Sequence, residues 1–158
     1  MRVNHQFGPF YHSNSKILIL GSFPSVKSRQ QQFYYAHPQN RFWKVLAACY
    51  TDEIPVTLED KKSFLTRHGI ALWDVIDSCE IKGSSDASIK EPIATQINDV
   101  IQNSKIERII LNGKTALKYY QKFYSKSDIT YISAPSTSPA NAAYSLELLV
   151  QEWKKVLF

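Results

Sequence analysis

Lys16-Ile-Leu-Ile-Leu-Gly-Ser-Phe-Pro-Ser25 decides how this chain folds. After its lysine the run is continuously apolar through Leu20 and stops at Gly21, the pattern of a central strand buried on both faces. Working outward, short apolar runs at 70–75 (carrying Trp73), 107–111 and 129–133 read as three more strands. Between them lie helical patterns. Residues 42–50 place Phe42, Val45, Leu46 and Cys49 on one face, Leu58–Arg67 is amphipathic, and Lys114–Phe123 joins the last two strands. Pro92 suits a first helical position, with Ile93, Ile97, Val100 and Ile101 following on one face. The last helix is expected to align Ala143, Leu146, Val150, Trp153 and Leu157, while 77–91 reads as polar and irregular. Strands alternating with helices imply an α/β fold with a parallel sheet covered by helices on both faces.

Ligands of such sheets sit beyond the carboxyl ends of the strands, which here are residues 21–40, 112–113 and 134–141. At 158 residues with 44% hydrophobic content the chain is read as one domain over 1–158. No apolar run is long enough to cross a bilayer, and residues 1–10 lack the apolar stretch of a signal peptide, so a cytoplasmic, soluble protein is expected. Disorder is expected in the first few residues at most. Cys49 and Cys79 fall outside any C-x-x-C spacing and read as buried thiols. His5, His12, His37 and His68 form no ligand pattern, so neither a metal, an iron–sulfur cluster nor another cofactor is expected. The formal charge of +5 favours an anionic partner.

Four segments carry candidate chemistry. Gly21-Ser-Phe-Pro-Ser25 leaves a buried strand through a glycine and a proline, bringing backbone amides and hydroxyls to a ligand; an ordinary turn would look the same. Tyr34-Tyr-Ala-His-Pro-Gln-Asn-Arg-Phe-Trp43 crowds rings, an imidazole, amides and an arginine at the end of a long loop. That crowding suits a nucleobase, which is held by stacking and by hydrogen bonds to its edge. Phe42 and Trp43 also read as core, with Asn40 as the cap of their helix. Asn112-Gly-Lys-Thr115 looks like the end of a phosphate loop, but Arg108 stands where that loop needs its first glycine. Lys114, Lys118 and Lys122 form a basic stripe that follows phosphates or is simply solvated. Ala134-Pro-Ser-Thr-Ser-Pro-Ala-Asn141 runs from a strand end into the last helix, with Ser138 and Pro139 as expected cap and first-turn residues.

Taken in order, Leu18-Ile-Leu-Gly-Ser-Phe-Pro-Ser25, Tyr34–Trp43, Asn112-Gly-Lys114 and Pro135-Ser-Thr-Ser-Pro-Ala-Asn141 resemble the hypoxanthine-DNA glycosylases, the sixth family of the uracil-DNA glycosylase superfamily. The resemblance extends over essentially the whole chain, including Asp77-Ser-Cys-Glu80 and Gly83-Ser-Ser-Asp86. It implies a three-layer α/β/α sandwich around a four-stranded parallel sheet, in agreement with the strand count, and damaged DNA as the partner; a monomer is expected. Where most of the superfamily has an acid or amide before the proline of the first motif, this chain has Phe23, and the catalytic amide implied by the resemblance is Asn40. On this reading Asn40 holds the attacking water, with His37 and Ser136 beside it in the catalytic set. Phe23 stacks on the flipped base while Ser22 and Asn112 contact it. Ser25, Lys114, Thr137, Ser138 and Asn141 meet the DNA. A mismatch-specific uracil or thymine glycosylase and a non-catalytic nucleic-acid-binding module are the alternatives.

Overall fold

The computed structural model describes residues 2–124 and 128–158. Its centre is a four-stranded parallel sheet in the order β3-β2-β6-β7, formed by β2 (Ile17–Gly21), β3 (Ile70–Asp74), β6 (Arg108–Asn112) and β7 (Thr130–Ala134). Leu18, Ile19 and Leu20 are fully buried because β2 is an inner strand with helices above and below it, so neither side can be polar. Register sets the later geometry. Gly21 pairs with Asp74, and Asn112 with Ala134, so these four strand ends lie together along one edge.

The helices are α1 (Val26–Gln31), α2 (Phe42–Cys49), α3 (Leu58–Arg67), α4 (Asn98–Gln102), α5 (Lys114–Phe123) and α6 (Leu146–Leu157). They complete the expected α/β/α sandwich, with α2 packed on α6, α3 on β3 and α5 on β6. α3 starts at a reciprocal cap: the Thr57 hydroxyl accepts from Asp60 N while the Asp60 carboxylate accepts from Thr57 N. Trp153 on α6 is fully buried, its indole N–H donates to Pro135 O at 2.9 Å, and its ring meets Phe42 edge-on. The same side chain therefore fills the core and tethers the 135–141 loop; truncation to alanine is expected to cost about 3–5 kcal/mol. Cys49 and Cys79 are free and buried, as expected, and burial pushes the Cys49 thiol up to about 11.

Three expectations are corrected. Residues 77–91 are irregular only in their middle, 81–89: β4 (Ile76–Glu80) is the middle strand of a second, antiparallel sheet, β1-β4-β5, with β1 (Arg2–Asn4) and β5 (Lys90–Ala94) at its edges. Arg2–Asn4, among the first residues, thus form a strand. Pro92 lies in β5 and starts no helix; an edge strand tolerates a residue without an N–H, and Glu91 beside it has a positive φ of 48° where the register shifts. Apolar residues at 93 and 97 share helical spacing but lie on a strand and at a helix start. The last helix begins at Leu146, capped by Ser145, whose hydroxyl accepts from Leu148 N. Ser138 and Pro139 belong to a preceding turn, Ala143 lies outside the helix, and the buried stripe is Leu149, Trp153, Val156 and Leu157. The long 21–40 segment also holds the short helix α1, which the sequence pattern did not reveal.

Candidate functional site

The strand ends open into a cleft of about 300 Å³. Its walls come from the 21–25 turn, the 34–40 segment, Asp74, residues 84 and 86, Asn112 and the 136–140 turn. Of the residues expected in a site, Ser22, Phe23, Ser25, His37, Asn40, Asn112, Ser136, Thr137 and Ser138 all line it; Lys114 and Asn141 do not. Phe23 and Asn40, separated by much of a long loop in sequence, face the same space.

Asn40, Thr137 and Asn112 form one relay. The Thr137 hydroxyl donates to Asn40 Oδ1 at 2.8 Å and accepts from Asn112 Nδ2 at 3.1 Å, while Thr137 N donates to Asn112 Oδ1 at 3.1 Å. Asn40 Oδ1 also accepts from Phe42 N at 3.0 Å, so both its lone pairs are engaged. This fixes the amide: Asn40 Nδ2 is the end left for the cleft. Thr137 is fully buried, so its side chain offers no surface to a phosphate; it locks two asparagines in place instead.

Arg41 clamps this arrangement. Its backbone N donates to Thr137 O at 3.1 Å, and its guanidinium donates to the carbonyls of Tyr144 and, at 3.0 Å, Asn141. Asn141 in turn donates to Ser136 O at 2.9 Å, which makes it a brace of the turn. The Ser136 hydroxyl accepts from Ser138 N, and His37 Nδ1 accepts from Gln39 N, both at 3.1 Å. Ser25 caps α1, accepting from Ser28 N at 3.1 Å. Phe23 is nearly buried, edge-on to His5 and under the Arg29 guanidinium, and Lys114 is exposed at the first position of α5.

Sequence reasoning missed the cleft's acidic side. Asp74, 3% exposed, ends β3 and meets His5 Nε2 at 2.8 Å. Asp86 accepts from the Ser22 hydroxyl at 2.8 Å, and enclosure of its carboxyl raises its pKa, which the Ser22 and Thr115 hydroxyls pull back. Asp86 as a residue is exposed, yet its carboxyl faces inward toward Ser22. Among the described residues no lysine or arginine lines the cleft, so it takes a neutral ring or a cationic sugar more readily than a phosphate. Asp74 was findable: the carboxyl end of β3 is the fourth strand end, and it pairs with Gly21. Arg41 was quoted in its motif, but nothing in its spacing announced which carbonyls it holds. Among the described residues no group of three or more His, Cys, Asp or Glu side chains is arranged to hold a metal ion.

A model of the uracil DNA glycosylase superfamily matches residues 9–157. The chain belongs to that superfamily, and is a DNA-repair glycosylase. Within it, the chain is similar to the hypoxanthine DNA glycosylase of Methanosarcina acetivorans, 31% identical over 159 residues covering 98% of each chain. It is also similar to the hypoxanthine DNA glycosylase of Methanosarcina barkeri, 32% identical over 117 residues, covering 72% of this chain and 73% of that one. A Methanosarcina acetivorans protein solved by solution NMR as a candidate uracil DNA glycosylase superposes with a TM-score of 0.82 at 29% identity, covering 96% of this chain and 94% of the other.

Proposed function

We propose that this enzyme excises hypoxanthine from DNA, hydrolysing the bond between N9 and C1′ and leaving an abasic site without cutting the strand. The observation that carries the reading is the Asn40–Thr137–Asn112 relay, which presents a fixed amide to a cleft large enough for a purine. Breaking the N-glycosidic bond passes through an oxocarbenium-like sugar, so the bonding pair departs with the base before water commits to C1′. A strong general base is then unnecessary. Because both lone pairs of Asn40 Oδ1 are engaged, Asn40 acts through Nδ2, donating to the oxygen of the attacking water and holding it beneath C1′. The water adds its oxygen to C1′ and gives its proton to solvent.

Phe23 stacks on the extruded base, Ser22 and Asn112 meet its edge, and His37 and Ser136 border the sugar. Ser25 and Ser138 lie at the rim within reach of the DNA backbone, with Lys114 contributing positive potential from outside the cleft. Thr137 and Asn141 serve as braces. The step needs no metal or other cofactor, and we assign the enzyme to the cytoplasm as a monomer. Incubation with a deoxyinosine oligonucleotide followed by alkaline cleavage tests the assignment. Excision is expected from the wild type, unaffected by chelator, and reduced roughly 100-fold or more in Asn40→Ala. Asn40→Ala excising hypoxanthine at the wild-type rate would remove the water-holding role, and a wild type that excises only uracil would replace the substrate.

A further inference from the structure

The floor of the cleft holds two polar atoms whose use the relay does not explain. Among the described residues the buried Tyr35 hydroxyl meets the criteria of a hydrogen bond with no partner, although Tyr35 lines the cleft and the Asn112 amide lies near it. Leaving such a donor unsatisfied is costly, and sites built for a ligand are where it is tolerated. Beside it is Asp74, whose Oδ2 is held by His5. Both point at Gly21: Asp74 Oδ1 lies 2.6 Å and Tyr35 Oη 3.3 Å from the point where a side chain at position 21 would begin. Glycine there keeps the space between them open. The Tyr35 ring is fixed in turn, stacked on Phe42 with centroids 3.8 Å apart.

We propose that Tyr35 Oη and Asp74 Oδ1 form a donor–acceptor pair that reads the lactam edge of the flipped base. Tyr35 donates to the ring carbonyl oxygen and Asp74 accepts from the adjacent ring N–H. Burial, with Asp74 adding to it and the nearby Asn112 amide offsetting part, pushes the Tyr35 pKa far up, so the group stays an O–H donor. Deamination replaces an amino group by a carbonyl and a bare ring nitrogen by an N–H. The pair therefore matches hypoxanthine and uracil and opposes adenine and cytosine, whose ring nitrogen would turn a lone pair toward the carboxylate. A site built to bond a polar edge rejects the analogue lacking it far better than an apolar pocket can. This inference rests on the glycosylase reading above and adds to it the group that selects the base.

Tyr35→Phe removes only the hydroxyl. Its single-turnover excision of hypoxanthine is expected to fall roughly 10- to 100-fold, while its affinity for DNA carrying a tetrahydrofuran abasic analogue, which has no base to read, stays within about twofold of wild type. Unchanged excision, or affinity for baseless DNA falling in parallel, overturns the donor role. As a second variant, Asp74→Asn exchanges an acceptor for an amide that can also donate. Its ratio of adenine to hypoxanthine excision is expected to rise at least about tenfold, and an unchanged ratio overturns the acceptor role. A wild type that releases no base removes the glycosylase reading and this inference together; a wild type that releases hypoxanthine beside an equally active Tyr35→Phe removes this inference alone.

Discussion

Thr137→Val tests whether the relay serves catalysis or only folding. Valine keeps the shape of the fully buried threonine and deletes one hydroxyl, which donates to Asn40 and accepts from Asn112. Each hydrogen bond contributes about 0.5–1.5 kcal/mol net, and Asn112 Nδ2 is left facing a methyl group. The expected loss of stability is therefore about 1–3 kcal/mol, or roughly 2–12 °C in melting temperature for a domain of this size. Activity should fall further than stability implies. Asn40 Oδ1 retains only Phe42 N, so its amide is free to swing, and misplacing a catalytic group by about 1 Å costs up to about 100-fold. Single-turnover excision of deoxyinosine, at enzyme concentrations above Kd and well below both melting temperatures, should slow about 10- to 100-fold with DNA affinity little changed. Thr137→Ser, which keeps the hydroxyl, should recover most of the rate. A Thr137→Val rate within twofold of wild type, measured alongside a clear drop in melting temperature, refutes the reasoning: the relay would then be a structural brace only.

Gly113 opens α5 with φ of +101°, and a Cβ there would lie 3.0 Å from Ser136 Cβ, so Gly113→Ala is expected to cost about 1–3 kcal/mol and to disturb the 136–140 turn. A thermal melt no lower than wild type contradicts it. Asp52 accepts from Arg67 and bonds His68, each at 2.8 Å, and these contacts hold its carboxyl well below the usual range. Its folded pKa is depressed, so the stabilisation is fully present above the ordinary carboxylate value of about 4 and is lost as the pH falls toward the lower folded value. The difference in urea midpoint between wild type and Asp52→Asn should accordingly shrink between neutral pH and pH about 3. A difference independent of pH speaks against the pairing.

The parallel sheet was legible because Ile17, Leu18, Ile19 and Leu20 leave no polar face, a signal strong enough to survive without context. Boundaries shifted by a residue, as with β6 and β7, since the hydrogen-bond ladder and the apolar run do not end together. The small antiparallel sheet was not legible. Its edge strands are largely exposed, its buried middle strand is mostly polar in sequence, and pairing spans up to 78 residues, as between Arg2 and Glu80, so nothing local announces such a partner. In the cleft, motif-bearing residues such as Asn40 and Asn112 stood out by type and position. The roles of Thr137 and Arg41 did not, because a threonine that bridges two amides and one that meets a phosphate look alike until burial separates them. Asp74 was passed over because it sits inside the 70–75 run, although the strand-end rule that picked out the other three loops applies to it equally.

The region of superfamily similarity begins at residue 9, whereas His5 and β1 precede it. Trimming a clone to that boundary would look harmless. It would strip the imidazole from Asp74 Oδ2, leaving a carboxylate beneath the cleft without its counterpart, and would unzip one edge of the second sheet by removing Arg2 from Ser78 and from the carbonyl of Glu91. Affinity handles and fusions belong at the other terminus, where Phe158 is largely exposed.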